Sequence, residues 1–270
     1  AKAEKNLELL LNCSCVDADM SEDGKRILSV KGWQLTTYTW HTVNATYFAD
    51  CSGDSILAPL TGAEYRVGRE AKSEFGEEFG LEVADNHTMG MSLMIQCRET
   101  DHPVSYTPPA WAYDFPDDDA MNNKPHNLYH MNTNFYWIEL GGMQNSIDDT
   151  EEIRDELLKI AFGVWDHMKN HGDHGADNWE LEFIGLLPGK RETRRCLGDH
   201  ILTQSDLEDG VHFPDTVAFG GWTMDNHDPK GFYYMGYSSH HIPPKVPFEI
   251  PYRSLYSRNV DNLSFAGRNI

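Results

Sequence analysis

Basic residues are scarce in this sequence. Lys and Arg number 22 against 43 Asp and Glu, and the formal net charge is −21. A surface with that excess repels phosphate backbones, which argues against nucleic acid as a partner. Long apolar runs are also missing: none approaches the roughly 20 residues a membrane-crossing helix requires, so no membrane insertion is expected. Cysteine is limited to Cys13, Cys15, Cys51, Cys97 and Cys196. They are scattered and form no CxxC pair, which argues against a disulfide framework, a structural zinc or an iron–sulfur cluster held by this chain alone. Gly-x-Gly occurs nowhere, so the Gly-x-Gly-x-x-Gly turn that cradles a dinucleotide pyrophosphate is absent.

What remains is the balance of a folded globular chain, 40% hydrophobic and 24% charged. Residues 1–12 read as the tail of an amphipathic helix or the approach to a strand. Short β-prone runs follow at 13–17, 26–30, 34–41 and 43–50, with turn chemistry at 21–24. Residues 56–75 predict a helix and then a Gly-punctuated segment. Strands are expected at 88–97, 135–140, 180–187 and, rich in aromatics, 231–238. Residues 100–130, dense in Pro, Asp and Asn, read as a long irregular loop whose Asp117, Asp118 and Asp119 form a solvated face.

The strongest periodicity predicts a helix over 150–170, with Ile153, Leu157, Ile160, Ala161, Val164 and Met168 on one face as core. Asp149 followed by Glu152 has the spacing of a capping box, and Gly172 is the expected stop. A short turn of helix is expected at 203–207.

Four constellations can carry chemistry. In Tyr47-Phe48-Ala49-Asp50-Cys51-Ser52-Gly53-Asp54 a β-prone run ends in small residues and two carboxylates. Small side chains let a pyrophosphate approach the backbone, and Asp50 or Asp54 can hold a ribose hydroxyl; the plainer reading is a strand entering a polar turn. In Asn262-Leu263-Ser264-Phe265-Ala266-Gly267-Arg268-Asn269-Ile270 a strand enters a turn whose Gly267 allows close approach and whose Arg268 can face a phosphate or an electron-rich ring; the plainer reading is again a strand end followed by a turn. The block Gly189-Lys190-Arg191-Glu192-Thr193-Arg194-Arg195 concentrates bases in an acidic chain, for ligand charge or for salt bridges. Among the histidines, His240 or His241 is a candidate general base. His167, His171 and His174 sit near the end of the long helix, where the macrodipole favours them, and no metal is assigned.

Together and in this order the blocks resemble the strand-end turns of FAD-dependent oxidoreductases with a glutathione-reductase-like flavin fold. The closer resemblance is to a bacterial family of such enzymes distantly similar to heterodisulfide reductase flavin subunits. It is carried by Asp50 to Asp54, Gly62-Ala63, Leu187-Pro188-Gly189 through Arg195, Ile250-Pro251-Tyr252-Arg253-Ser254-Leu255, and Phe265 to Ile270. It covers most of the chain from about residue 40 onward.

The resemblance implies an α+β or α/β fold: a partial FAD-binding domain with an inserted, mixed or antiparallel-sheet substrate domain plus helices. The domains would be 1–55, the end of the FAD-binding domain; 56–255, the substrate domain; and 256–270, a return strand. It implies FAD held by Asp50, Ser52, Gly53, Asp54, Ala266, Gly267, Arg268 and Asn269, with Arg191, Arg195, His240 and His241 on the catalytic side and hydride passing between a small-molecule substrate and flavin. Since the family carries its glycine fingerprint near the N-terminus, the chain is expected to be an internal piece, inactive and without FAD when isolated. Two alternatives stay open. Glu180/Glu182 and Asp225/Asp228 beside Trp179 and Trp222 suit a carbohydrate-processing hydrolase or binding domain, and a non-catalytic interaction domain is the other.

Overall fold

In the computed structural model, which describes residues 3–128 and 135–270, β structure begins at Cys13, and residues 3–12 approach it without helix. Ala1, Lys2 and the last two positions of the expected 100–130 loop, Tyr129 and His130, lie outside the described residues. The first elements are β1 (Cys13–Met20), β2 (Ile27–Gln34), β3 (Thr39–Asn44) and β4 (Phe48–Asp50), then helix α1 (Leu57–Thr61), β5 (Tyr65–Arg66) and α2 (Lys72–Phe75). Next come β6 (Met91–Ser92), β7 (Ile95–Glu99), β8 (Glu139–Leu140), the long helix α3 (Thr150–Asn170) and β9 (Trp179–Ile184). The remainder is β10 (Arg195–Cys196), α4 (Gln204–Asp209), β11 (Thr216–Gly220), β12 (Met224–His227), β13 (Ser239–Ile242), β14 (Phe248–Pro251) and β15 (Leu263–Phe265). The architecture is strand-rich α+β with small sheets and few helices. Among the described residues no helix is long and apolar enough to cross a membrane.

Two compact units are present: Ala1–Val67 with Glu192–Gly221 and Lys245–Ile270, and Gly68–Arg191 with Trp222–Pro244. The segment 56–255 therefore contributes to both.

In the first unit β1, β2 and β3 form an antiparallel sheet, while β4 pairs in parallel with β15, Phe48 opposite Leu263 and Asp50 opposite Phe265. Antiparallel pairs β5–β10 and β11–β14 complete its ladders. The core gathers Ile27, Phe48, Leu57, Ala58, Val260, Leu263 and Phe265. Asn262, only 3% exposed, locks this core to the sheet: its Oδ1 accepts the Ile27 N–H at 2.9 Å, and its Nδ2 donates to the Ile27 and Thr46 carbonyls. Its amide does the work of a missing strand partner.

The second unit is built on α3. Ile153, Leu157, Ile160, Ala161, Val164 and Met168 are buried against Met91, Leu93, Phe115, Trp137, Ile138 and Phe232. Each fully buried aliphatic side chain contributes about 1.5–3 kcal/mol. Around this helix lie the antiparallel pairs β6–β8, β7–β9 and β12–β13.

Several local expectations are corrected. No capping box forms at Asp149: its carboxylate accepts the Asn145 N–H, while Asn145 Oδ1 accepts from Ile147 and Asp148, so a preceding turn feeds the helix. The capping box of this chain is at Thr203 and Asp206, opening α4. The expected strand 88–97 breaks into β6 and β7, and 135–140 yields strand only at Glu139 and Leu140. The expected strand 231–238 is instead a single 3-10 turn, Gly231–Tyr233. Gly231 has φ +55°, and a Cβ there would lie 2.2 Å from the Glu139 carbonyl oxygen, so only glycine fits and an extended path is not taken.

Replacing Asn262 with Ala should therefore lower the unfolding free energy by about 2–4 kcal/mol, because the two buried backbone groups of Ile27 and the part-buried Thr46 carbonyl lose their partner. Urea melts of the two proteins check it. A loss below about 1 kcal/mol would mean that water or a shifted backbone replaces the amide.

Candidate functional site

At the C-terminal ends of β4 and β15 the two distant turns meet. Asp50 is 2% exposed, and its carboxylate is fully engaged. Oδ1 accepts the Ser52 N–H and hydroxyl at 2.9 and 2.7 Å, and Oδ2 accepts the Leu57 N–H at 2.7 Å, opening α1. Its carbonyl accepts the Ala266 N–H at 3.1 Å and the side-chain amide of Asn269, 219 residues along the chain, at 3.3 Å. Asp50 and Ser52 thus build the turn. Asp54 Oδ1 accepts from Arg268 at 2.9 Å and from the Thr193 hydroxyl at 3.0 Å.

Gly53 has φ +79°, and a Cβ there would sit 2.5 Å from the Arg268 guanidinium. The close approach that Gly53 permits is taken by a side chain of this protein. Gly267 has φ +109°. Asn269 is wholly buried: its backbone carbonyl accepts the Cys196 N–H, while its Oδ1 has no hydrogen-bond partner. A buried acceptor without a partner is uncommon in a folded interior, and this one lies beside a glycine turn.

The basic block divides. Arg194 lies over the Tyr65 ring at 5.7 Å and donates to the Asp54 carbonyl, and Arg195 opens β10 opposite Arg66. These belong to the first unit, Arg191 to the second. Arg191 donates to the Ser92 hydroxyl at 3.0 Å and stands 3.7 Å from Glu139 and 3.9 Å from Asp225.

That placement discloses a group the sequence reading missed. His227 Nδ1 meets Glu139 Oε2 at 2.6 Å, and its Nε2 lies 3.0 Å from Asp225 Oδ1 without hydrogen-bond alignment. Glu139 is fully buried and also accepts the Gly90 N–H. His241 Nδ1 stands 3.4 Å from Asp225, whereas His240 is its neighbour on β13, in register with Asn226. Burial opposes charge on His227, but the hydrogen bond and charge of Glu139 prevail, and its pKa is raised above the ordinary 6.5. Nearby, burial pushes the Lys124 ammonium down to about 8, and it donates to the Gly231 and Gly236 carbonyls.

The remaining histidines part company. His171 turns to Asp166 and Asp114, at 3.3 and 3.5 Å, and His167 reaches Asp118 at 3.3 Å. Of the acidic pairs, Glu180 binds Arg98 across the sheet and Glu182 accepts from Gln96, while Asp228 closes a turn on the Lys230 N–H. Nothing here favours a carbohydrate-processing pair.

A sequence model described as FAD dependent oxidoreductase matches residues 2–270. The chain belongs to this family. No curated protein and no solved structure matches it. Membership establishes an oxidoreductase family that uses FAD, in agreement with the strand-end turns from which the resemblance was drawn.

The raised pKa of His227 has a signed consequence. A group protonated more strongly when folded stabilises the fold below its unfolded pKa, and that contribution is lost as pH rises through the folded pKa. The stability of the protein minus that of His227→Gln should therefore decline as pH rises above about 6.5. Urea melts at stepped pH measure it. A difference that is flat or rises with pH would mean that Glu139 does not hold the proton on His227.

Proposed function

We propose that the paired ends of β4 and β15 hold the hydroxyl-bearing part of FAD, and that the intact protein passes hydride between a small-molecule substrate and this flavin. The observation that carries the reading is the open, buried Oδ1 of Asn269 at the family's strand-end turn. Gly53, Asp54, Ala266, Gly267, Arg268 and Asn269 would hold the cofactor, with Asp50 and Ser52 shaping the turn beneath it. When bound, FAD supplies the hydride acceptor, which no side chain can provide.

The candidate residues that hold protons form a group of their own within the second unit. Of the two candidate bases, His241 is favoured over His240, because its Nδ1 faces Asp225, which steadies the imidazolium formed when a substrate hydroxyl is deprotonated. Asp225 leads on to His227 and Glu139, a line of alternating carboxylate and imidazole. Arg191, bound between Glu139, Asp225 and Ser92, offsets the carboxylate charge there. Arg195 is kept as a candidate for ligand charge on the strength of the resemblance alone.

Pyrophosphate recognition in this fold leans on a Gly-rich turn, and this sequence has no Gly-x-Gly. The 270-residue chain by itself is therefore proposed to bind FAD weakly. Three missing charge-assisted hydrogen bonds, at about 1.5–3 kcal/mol each, amount to roughly 10³–10⁶ in affinity.

Expressed from its natural reading frame, the protein should elute with flavin absorbance, and Asn269→Leu should weaken FAD about tenfold to a hundredfold by removing one buried acceptor. Fluorescence titration of apoprotein with FAD reads both. A colourless protein that FAD neither binds nor stabilises overturns the flavin reading. Micromolar or tighter binding by residues 1–270 alone overturns the proposal that essential contacts are missing from them.

A further inference from the structure

Away from the strand-end turns, the second unit carries a cluster with no role in the reading above. Asp118, His126, His167 and His174 each present one ligand atom, and these atoms all lie within 4.8 Å of one another. The three imidazole rings are mutually close, with centroids 4.6, 4.7 and 5.1 Å apart.

The way each ring is held is informative. His167 Nδ1 is 2.7 Å from the Phe115 carbonyl, and His126 Nδ1 is 2.7 Å from the Lys124 carbonyl. A carbonyl only accepts, so each Nδ1 carries a proton, and in the neutral ring the lone pair is then on Nε2. His174 Nε2 is 3.0 Å from the His171 carbonyl, which by the same logic leaves Nδ1 with the lone pair. This is the pattern of metal-bound histidine, in which a backbone carbonyl fixes the tautomer from behind.

The His167 side chain is 1% exposed, and its Nε2 has no hydrogen-bond partner. A buried nitrogen with a free lone pair is costly unless something fills it. The spacing also suits an ion. Zinc–ligand bonds of about 2.0–2.1 Å place tetrahedral donors roughly 3.3–3.4 Å apart. Asp118 Oδ1 lies 3.3 Å from His167 Nε2 and 3.6 Å from His126 Nε2.

We infer that Asp118, His126, His167 and His174 form a four-ligand site for one divalent transition-metal ion, zinc by its imidazole and carboxylate donors. Four protein ligands close a tetrahedron, so the site is structural and leaves no open position for substrate. Asp118 and His126 come from the irregular segment before residue 128, His167 from α3 and His174 from the turn beyond its end. The ion would staple a long stretch without secondary structure to the best-packed helix of the unit. Gly172, at φ +110°, makes the reversal that returns His174 to the helix end. His171, on the same helix, is directed instead to Asp166 and Asp114, an ion pair in which Asp166 is already shared with Asn170.

The test uses the full chain without an affinity tag, stripped with EDTA and dialysed. Zinc titrated by calorimetry should bind at about one equivalent, and cobalt should develop the visible bands of a tetrahedral N/O site. Asp118→Asn and His126→Gln should each lower zinc affinity at least tenfold, while His171→Gln should not. His167→Ala removes a buried side chain, so Asp118→Asn, exposed and tolerant, carries the comparison. Metal should also slow proteolytic cleavage within residues 100–128 of the parent protein and not of Asp118→Asn. Absence of saturable binding by the folded parent, or equal affinity in Asp118→Asn and His126→Gln, overturns the assignment. Neither outcome bears on FAD, which is read at the other unit's turns.

Discussion

A buried carboxylate is tolerable only when its oxygens are bonded, and Asp50 meets that demand entirely from its own chain. Its side chain shapes the turn after β4 and starts α1, and its carbonyl receives Ala266 and Asn269 from the far end of the sequence. One residue therefore registers two turns that are remote in sequence, and the parallel pairing of β4 with β15 follows its lead. Asp54, Thr193 and Arg268 add a second layer of contacts over the first. The surroundings of Asn269 are thus set by the chain's own contacts.

The second unit answers a different constraint. Its apolar stripe on α3 buries itself readily, but Glu139, His227 and Lys124 are buried with it. Paired charges in an interior remain stable only as a connected set, and removing one partner is more damaging than the pair is favourable. Gly231 belongs to that set, since its carbonyl receives Lys124 and its missing Cβ leaves room for the Glu139 backbone.

These constraints explain what could be read in advance. Helix α3 was legible to its ends because its signal is local and repeats over many turns. The strand-end turns were legible because small residues, carboxylates and Arg268 cluster in two short stretches. The stretch 231–238 was misread because its aromatic composition suits a strand, whereas its path is fixed by Glu139, distant in sequence. Asp149 was misassigned for a nearer reason: Asn145 competes for the same turn and wins. No spacing rule could join Glu139 to His227, or Asp118 and His126 to His167, since each is made by folding alone. His167 and His171 are one turn apart on α3 with ring centroids 6.3 Å apart, yet the reversal at Gly172 brings His174 closer to His167, at 4.7 Å.

The scarcity of base in the sequence has a last consequence at the strand ends. In a chain with 22 basic and 43 acidic residues, Arg268 is held by Asp54 and Arg191 by Glu139 and Asp225. A phosphate seeking Arg268 must displace a carboxylate already in place, exchanging one ion pair for another with little net gain. An uncharged hydroxyl meets no such competition at Asn269 Oδ1, where the acceptor is buried and open. On the proposed flavin reading, the charge pattern thus assigns these turns to the hydroxyl-bearing portion of the cofactor and not to its phosphates. The absence of a Gly-x-Gly turn from this sequence leads to the same division from an independent direction.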